Sequence, residues 1–385
     1  MEKVKLNELC DINIGKTPSR SKKQFWGQGY NWLAISDLKE KFITDTKEEI
    51  TELAIKDCNM KLVPKNTVVM SFKLSIGKTA ILKKDMYTNE AIANFQIKDN
   101  NKIIPEYLYY AIKTLDFTNT DRAVMGATLN KSKLNEIVIP YCDLNKQIKI
   151  VDTLDKAQHL IDLKMEQLEL LDELVKSRFI EMFGDPITNP RGWKKSKLNN
   201  VCLKITDGEH KNPEFIVKGI PMVMANNIRG NVDLNNCKYI SKEDYIKFSK
   251  KCNPEKGDIL LVSRGATIGR CCENNKEENF ALMGSVILIK NNKEIINSKF
   301  ILNWFKHEGI KKIIYKTSSA SAQQAIYMKD LREKKVIIPP IELQNQFADF
   351  VTQVDKLKFE MEKSLKELED NFNSLMQKAF KGELF

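Results

Sequence analysis

Two stretches of the chain repeat their apolar residues with a period no strand or turn can use. In Asn145–Phe183, Leu154, Ile161, Leu168, Val175 and Met182 fall every seven residues, and Val151, Met165 and Phe179 fill many of the intervening positions. In Glu342–Phe380 the same spacing runs through Phe347, Val354, Met361, Leu368 and Leu375, with Phe350, Leu357, Leu365 and Phe372 on a second stripe. Neither stretch contains proline or glycine, so nothing interrupts a helix. Heptads sustained over this length predict the two helices of a coiled coil, each of roughly 36 residues and so about 54 Å long at 1.5 Å per residue.

Elsewhere the apolar runs are short. Val68–Met70, Ile259–Val262 and Val286–Ile289 lie between Gly, Asn and Pro turns and predict strands, while Tyr107–Thr114 and Phe300–His307 predict helices. No apolar run approaches the roughly 18 residues of a membrane span. The N-terminus is charged from Glu2 onward and lacks a signal-peptide core. The expectation is a cytoplasmic protein that avoids the membrane.

The pattern occurs twice. Lys5-Leu-Asn-Glu-Leu-Cys10 matches Lys197-Leu-Asn-Asn-Val-Cys202, and Leu33–Lys39 matches Val223–Arg229. Ser75-Ile-Gly-Lys78 matches Thr267-Ile-Gly-Arg270, Ile97-Lys98 matches Ile289-Lys290, and Val138-Ile-Pro140 with Gln147 matches Ile337-Ile-Pro339 with Gln346. Five matches in one order indicate a duplication, and their separation is far too long for a solenoid repeat. The 385 residues therefore read as two domain-sized copies. Residues 1–143 and 185–340 form the domains, and residues 144–184 and 341–385 form the long helices. The predicted fold class is α+β, with two mixed, strand-rich domains. The first long helix leads out of one domain and the second must return if their stripes are to pair. That predicts an antiparallel coiled coil separating the domains about a pseudo-twofold axis.

Charge adds a partner to this picture. The net charge is +11, yet Asn145–Phe183 and Glu342–Lys381 each carry six Lys/Arg against eight Asp/Glu. The basic excess of +15 therefore belongs to the domains and linkers, which suggests a polyanion. Loops that mix cations with small polar residues are the candidates, because Arg, Asn and Gln pair with base edges while Lys and Ser suit phosphates. In the first copy these are Lys16, Ser19, Arg20, Lys22, Lys73, Lys78, Arg122 and Lys131. In the second they are Lys211, Asn226, Asn227, Arg229, Arg264, Arg270, Lys316, Gln323 and Gln324.

Motifs for chemistry are missing. The eight cysteines include no C-x-x-C pair, and with three histidines no zinc-ligand spacing appears. They read as reduced thiols. Gly77-Lys-Thr79 and Gly15-Lys-Thr17 resemble the end of a phosphate-binding loop, but Phe72 and Cys10 stand where its first glycine is required. His159 falls within the coil, and no G-x-S-x-G occurs. Asn189-Pro-Arg191 lacks the second proline and aromatic of an amino-methyltransferase motif.

The motifs together resemble the DNA-specificity subunit of type I restriction–modification systems. The resemblance is carried by Gly15-Lys-Thr-Pro-Ser19, Trp32-Leu-Ala-Ile-Ser-Asp37, Gly257-Asp-Ile-Leu-Leu261 and Gly265-Ala-Thr-Ile-Gly269. It extends to Arg178-Phe-Ile-Glu-Met-Phe-Gly-Asp-Pro186, Ile338-Pro-Pro-Ile-Glu-Leu-Gln-Asn-Gln346 and Lys378-Ala-Phe-Lys-Gly-Glu-Leu384. The first copy departs from the pattern at Pro140–Gln147 and at Gly126–Asn130. The resemblance implies two target-recognition domains reading a bipartite double-stranded DNA site, asymmetric because the copies differ in their loops. It also implies assembly with two copies of a DNA adenine methyltransferase subunit, and with restriction or translocase subunits where those exist. The chain itself would hold no cofactor. S-adenosylmethionine would belong to the methyltransferase partner, and ATP and magnesium to a restriction partner. The helices would act as a ruler, about 54 Å corresponding to roughly 16 base pairs. Two other readings fit the same residues: the specificity subunit of a system whose partner fuses methyltransferase and nuclease, and a non-catalytic coiled-coil scaffold.

Overall fold

The run Val68–Ser71 offers no polar face along a strand, and all four of its residues are buried. Burial on both faces is what such a run requires, and it sits inside a five-stranded sheet. The protein is described by a computed structural model for residues 1–73, 75–115, 131–315 and 325–385. It divides into two compact units, Met1–Met165 with Lys363–Phe385, and Glu166–Glu362.

The first unit runs β1 (Glu2–Lys5), α1 (Leu6–Leu9), β2 (Cys10–Ile14), β3 (Trp26–Leu33), β4 (Phe42–Ile43), β5 (Glu48–Ile50), α2 (Glu52–Asp57), β6 (Val68–Ser71), β7 (Thr79–Leu82), β8 (Tyr87–Thr88) and β9 (Ile92–Ile97). Then come α3 (Pro105–Lys113), α4 (Lys131–Asn135), β10 (Val138–Tyr141) and the start of α5 (Leu144–Phe183). Pro105 opens α3 in the first turn, where its missing N–H costs nothing. The sheets are β2-β9-β6-β7-β4, β5-β3-β8 and β1-β10.

The second unit repeats the plan: β11 (Lys194–Lys197), α6 (Leu198–Val201), β12 (Cys202–Asp207), β13 (Ile220–Val223), β14 (Lys238–Ile240), α7 (Lys242–Ser249), β15 (Ile259–Val262), β16 (Cys271–Glu273), β17 (Ala281–Leu282) and β18 (Val286–Asn291). It closes with α8 (Ser298–Lys306), α9 (Glu308–Tyr315), α10 (Met328–Arg332), β19 (Lys335–Ile338) and α11 (Ile341–Lys381). Its sheets, β12-β18-β15-β16, β14-β13-β17 and β11-β19, keep the order of the first unit. The α+β class and the duplication are both borne out.

Three of the five sequence matches hold in the ladders and two slip. Val68 faces Phe95, and Ile259 faces Ile289. Phe95, and not Ile97, is thus the counterpart of Ile289. Lys5 faces Val138 while Lys197 faces Lys335, so the Ile-Pro match is displaced by two residues as well. A slip of two keeps every side chain on its original face, so hydrophobicity alone does not expose it.

The long helices span 40 and 41 residues. In the first unit Ile150 and Leu154, near the start of α5, share a core with Phe372, Leu375, Met376, Ala379 and Phe380 at the end of α11. In the second unit Phe179 and Phe183, at the end of α5, meet Phe347 near the start of α11 at ring distances of 5.5 and 5.4 Å. Start meets end in both units, so the helices run antiparallel as predicted. Leu154, Ile161, Phe347 and Val354 are buried, whereas Leu168, Val175, Met182, Met361, Leu368 and Leu375 are half-buried. Met165 and Leu357, read as seam residues, are instead 49% and 52% exposed. A two-helix pair covers only one side of each helix, and burial is completed where a domain core packs against it. Gly184, at φ +77°, ends α5 with its N–H on the Ile180 carbonyl.

A candidate nucleic-acid interface

Strand β13 runs into a 3-10 turn at Ala225–Asn227. The Asn227 carboxamide closes this turn: its Oδ1 accepts the Met224 N–H at 3.0 Å, and its Nδ2 donates to the Asn236 carbonyl at 3.1 Å. Asn227 is 2% exposed. Its amide is consumed by the turn, which corrects its reading as a ligand-facing residue. The neighbouring Asn226 is exposed, and its backbone carbonyl accepts Arg229 Nε at 3.1 Å.

The loop from β15 to β16 comes to the same place. Val262 N–H donates to the Arg270 carbonyl, and Gly269 N–H to the Val262 carbonyl, both at 2.8 Å. Gly269 has φ +78°, and a Cβ there would lie 1.7 Å from the Tyr315 hydroxyl. Only glycine fits. The Tyr315 hydroxyl donates to the Ile268 carbonyl at 3.1 Å and fixes the loop beneath Thr267 and Arg270. Lys306 ends α8, and Lys311 on α9 pairs with Glu308 at 2.7 Å.

Asn226, Arg229, Thr267, Arg270, Lys306 and Lys311 thereby line an open hollow of about 740 Å³. Among the described residues no carboxylate lines it, and burial pushes the Cys271 thiol up to about 11, so that group is neutral too. Four cations around amide and hydroxyl groups suit a phosphate backbone with base edges behind it. Sequence reasoning found Asn226, Arg229 and Arg270 but missed Lys306 and Lys311. Lys306 was legible as the first polar residue after the apolar run that ends α8.

The remaining candidates in this unit are dispersed. Arg264 is exposed beside a bridge to Ala325, and Lys211 is exposed with its backbone N–H on the Glu209 carboxylate at 2.9 Å. Near Lys211, the Asp207 carboxylate takes His210 Nε2 at 2.6 Å and Lys251 Nζ at 2.7 Å. Burial raises the Asp207 pKa, but Lys251 and His210 outweigh it, leaving the group below the usual carboxylate range.

In the first unit two candidates are engaged inside the protein. The Lys16 ammonium donates to the Cys58 and Asn59 carbonyls at 3.1 and 3.2 Å, satisfying the end of α2. Arg20 forms a two-pronged pair with Glu48, one bond at 2.8 Å, and stacks 3.7 Å over the Trp26 ring. Neither is a free cation: an Arg already bidentate to a carboxylate must open that pair before its fork can meet a base. Ser19 is exposed and bonds the Ser21 hydroxyl at 2.8 Å, and Lys22 is exposed over Phe25. Lys73 is half-buried and Lys78 exposed on the β6–β7 loop, and Lys131 is exposed at the start of α4. His159 is an exposed residue of α5 beside Asp152, Asp155 and Lys156. Arg122, Lys316, Gln323 and Gln324 lie outside the described residues, as does Gly126–Asn130.

Fold and hollow together define a duplicated α+β protein that presents clustered cations on a recognition-type surface. The chain belongs to the family described as the type I restriction modification DNA specificity domain, which matches residues 1–173 and 190–370. It is 25% identical to the type I restriction enzyme MjaIX specificity subunit of Methanocaldococcus jannaschii, over 99% of this chain and 92% of that one. It is 24% identical to the EcoBI specificity subunit of Escherichia coli, over 77% of this chain and 69% of that one. Among solved structures, a chain from a study of complex assembly and conformational transition in the type I restriction–modification system aligns at TM-score 0.62 and 16% identity, covering 100% and 98%. The type I S subunit from M. genitalium aligns at TM-score 0.51 and 18% identity, covering 98% and 96%. At these identities the structures speak to the fold.

Proposed function

We propose that this chain is the cytoplasmic DNA-reading subunit of a type I restriction–modification complex. Each unit reads one half of a bipartite, asymmetric double-stranded site, and the two long helices set the gap between the halves. The chain carries out no reaction itself. It recruits two copies of a DNA adenine methyltransferase subunit, and restriction or translocase subunits where the system has them. S-adenosylmethionine is bound by the methyltransferase, and ATP with magnesium by the restriction subunit. The observation that carries the reading is the hollow of Arg229, Arg270, Lys306 and Lys311 around Asn226 and Thr267, in a unit the family matches twice.

The helices supply a face for partners. On α5, Leu160 and Leu163 in the first unit are 52% and 40% exposed. In the second unit Leu170 and Leu174 are 59% and 47% exposed. At 100° per residue Leu163, Leu170 and Leu174 fall on the side of α5 opposite Leu154 and Phe179, and Leu160 falls on the flank. A second apolar stripe on a helix already packed along its first suits the helices of another subunit.

Mapping methylated adenines across the genome with the gene intact and deleted tests the reading. Loss of one motif made of two unequal halves is the expected result. An unchanged set of motifs, in a cell whose methyltransferase remains active, overturns it.

A further inference from the structure

We propose that Ser36 in the first unit and Asn226 in the second hold one and the same base-reading position, and that three cations at corresponding places in each unit hold phosphates. This rests on the DNA-reading function above and specifies which groups discriminate between bases.

The two residues are equivalent by their place in the chain. Leu33 pairs in parallel with Thr88, and Val223 with Leu282, so β3 and β13 enter the turns Ile35–Asp37 and Ala225–Asn227 in the same register. The third residue locks each turn. The Asp37 carboxylate accepts the Ala34 N–H at 3.0 Å, as Asn227 accepts that of Met224 at 3.0 Å. Ser36 and Asn226 are left exposed on fixed backbone, and among the described residues neither side chain has a protein hydrogen-bond partner.

Cations stand at corresponding positions of the two copies: those of the second line the hollow with Asn226, and in the first Lys113 also donates to the Tyr109 hydroxyl at 3.1 Å. Lys39 and Arg229 follow the turns. Lys78 and Arg270 close the loops before β7 and β16, each giving its carbonyl to the strand opposite, to Ser71 N–H and Val262 N–H. Lys113 and Lys306 end the nine-residue helices α3 and α8. In all three pairs the charge is kept, and Lys becomes Arg at most. At the tip the chemistry changes from a hydroxyl to a carboxamide.

That division separates two kinds of contact. A phosphate needs a cation and carries no sequence information. A base edge is read by its pattern of donors and acceptors, and a carboxamide pairs bidentately with adenine N6 and N7 where one hydroxyl cannot. Two copies that read different half-sites keep the first set and vary the second. Asn226 accordingly reads an adenine edge in the half-site held by the second unit.

The test uses the full chain with its methyltransferase partner on duplexes carrying the mapped target, one base pair replaced at a time. The wild type is expected to discriminate about 5- to 150-fold at one A·T pair of the second half-site, and Asn226→Ser and Asn226→Ala to flatten that pair alone to within about threefold. Arg270→Ala is expected to weaken every duplex alike. Full discrimination at every pair in the Asn226 variants, or a uniform loss resembling that of Arg270→Ala, overturns the assignment. A wild type indifferent to every replacement overturns the DNA-reading function itself.

Discussion

Gln147 and Gln344 make the same three hydrogen bonds in the two units. Gln147 accepts the Ile104 N–H at 3.1 Å and donates to the Lys102 and Cys142 carbonyls at 2.7 and 2.8 Å. Gln344 accepts the Asn297 N–H at 2.9 Å and donates to the Ile295 and Pro339 carbonyls at 3.1 and 2.8 Å. Both are fully buried in the first turns of the long helices. Each ties its helix to the strand end before it and to the loop that enters α3 or α8. The counterpart of Gln147 is therefore Gln344, and the pairing with Gln346, which is exposed, is corrected.

Replacing Gln344 by alanine strands the half-buried Asn297 N–H and Ile295 carbonyl and the buried Pro339 carbonyl, at about 1–3 kcal/mol for a buried group left without a partner. The expected loss is at least about 2 kcal/mol in urea unfolding, against less than about 0.5 kcal/mol for Gln346→Ala at the surface. Equal effects of the two substitutions would contradict the assignment.

Salt dependence separates the cations that face outward from those engaged within the protein. If Arg270 and Lys306 each contact a phosphate, each alanine variant lowers the slope of log K against log salt by about 0.9. Arg20, held by Glu48 and Trp26, is expected to leave the slope unchanged when replaced. A lower slope for Arg20→Ala would show that the Glu48 pair opens on DNA.

Periodicity made the long helices and the duplication legible, because uninterrupted heptads and ordered matches survive divergence. Register was not legible. A two-residue slip leaves the faces of β9 and β10 intact, so Ile97 stood in for Phe95. Nor could sequence separate Asn226 from Asn227, adjacent and chemically identical, of which one closes a turn and the other faces solvent. The internal partners of Lys16 and Arg20 were not legible for a related reason. Those partners, Cys58, Asn59 and Glu48, come from distant parts of the chain that only the fold brings close.

Thiol chemistry follows from burial. Burial pushes Cys10, Cys252 and Cys272 up to about 12 and Cys271 up to about 11, and all four are buried. The thiolate is the reactive form. At pH 8 these four are expected to resist iodoacetamide in the native protein and to react once it is unfolded, as read by peptide mass spectrometry. Rapid native labelling of Cys272 would contradict its placement.

The Asp207 cluster gives a pH dependence of defined sign. Burial of Asp207 favours its neutral form, but Lys251 and His210 favour the carboxylate more strongly and depress its pKa. An unfolded aspartate titrates near pH 3.9, at about its model-peptide value. A carboxyl depressed in the folded state adds stability above the unfolded value, and this is lost as pH falls through the folded value. The stability difference between wild type and Asp207→Asn is therefore expected to hold steady from pH 7 to about 5 and to shrink below about 3.9. Lys251→Met removes one of the two opposing partners, so burial weighs more and the Asp207 titration, followed by carboxyl carbon NMR, is expected to move upward. A downward or absent shift in Lys251→Met would show that Lys251, although 2.7 Å from the carboxylate, does not set its charge.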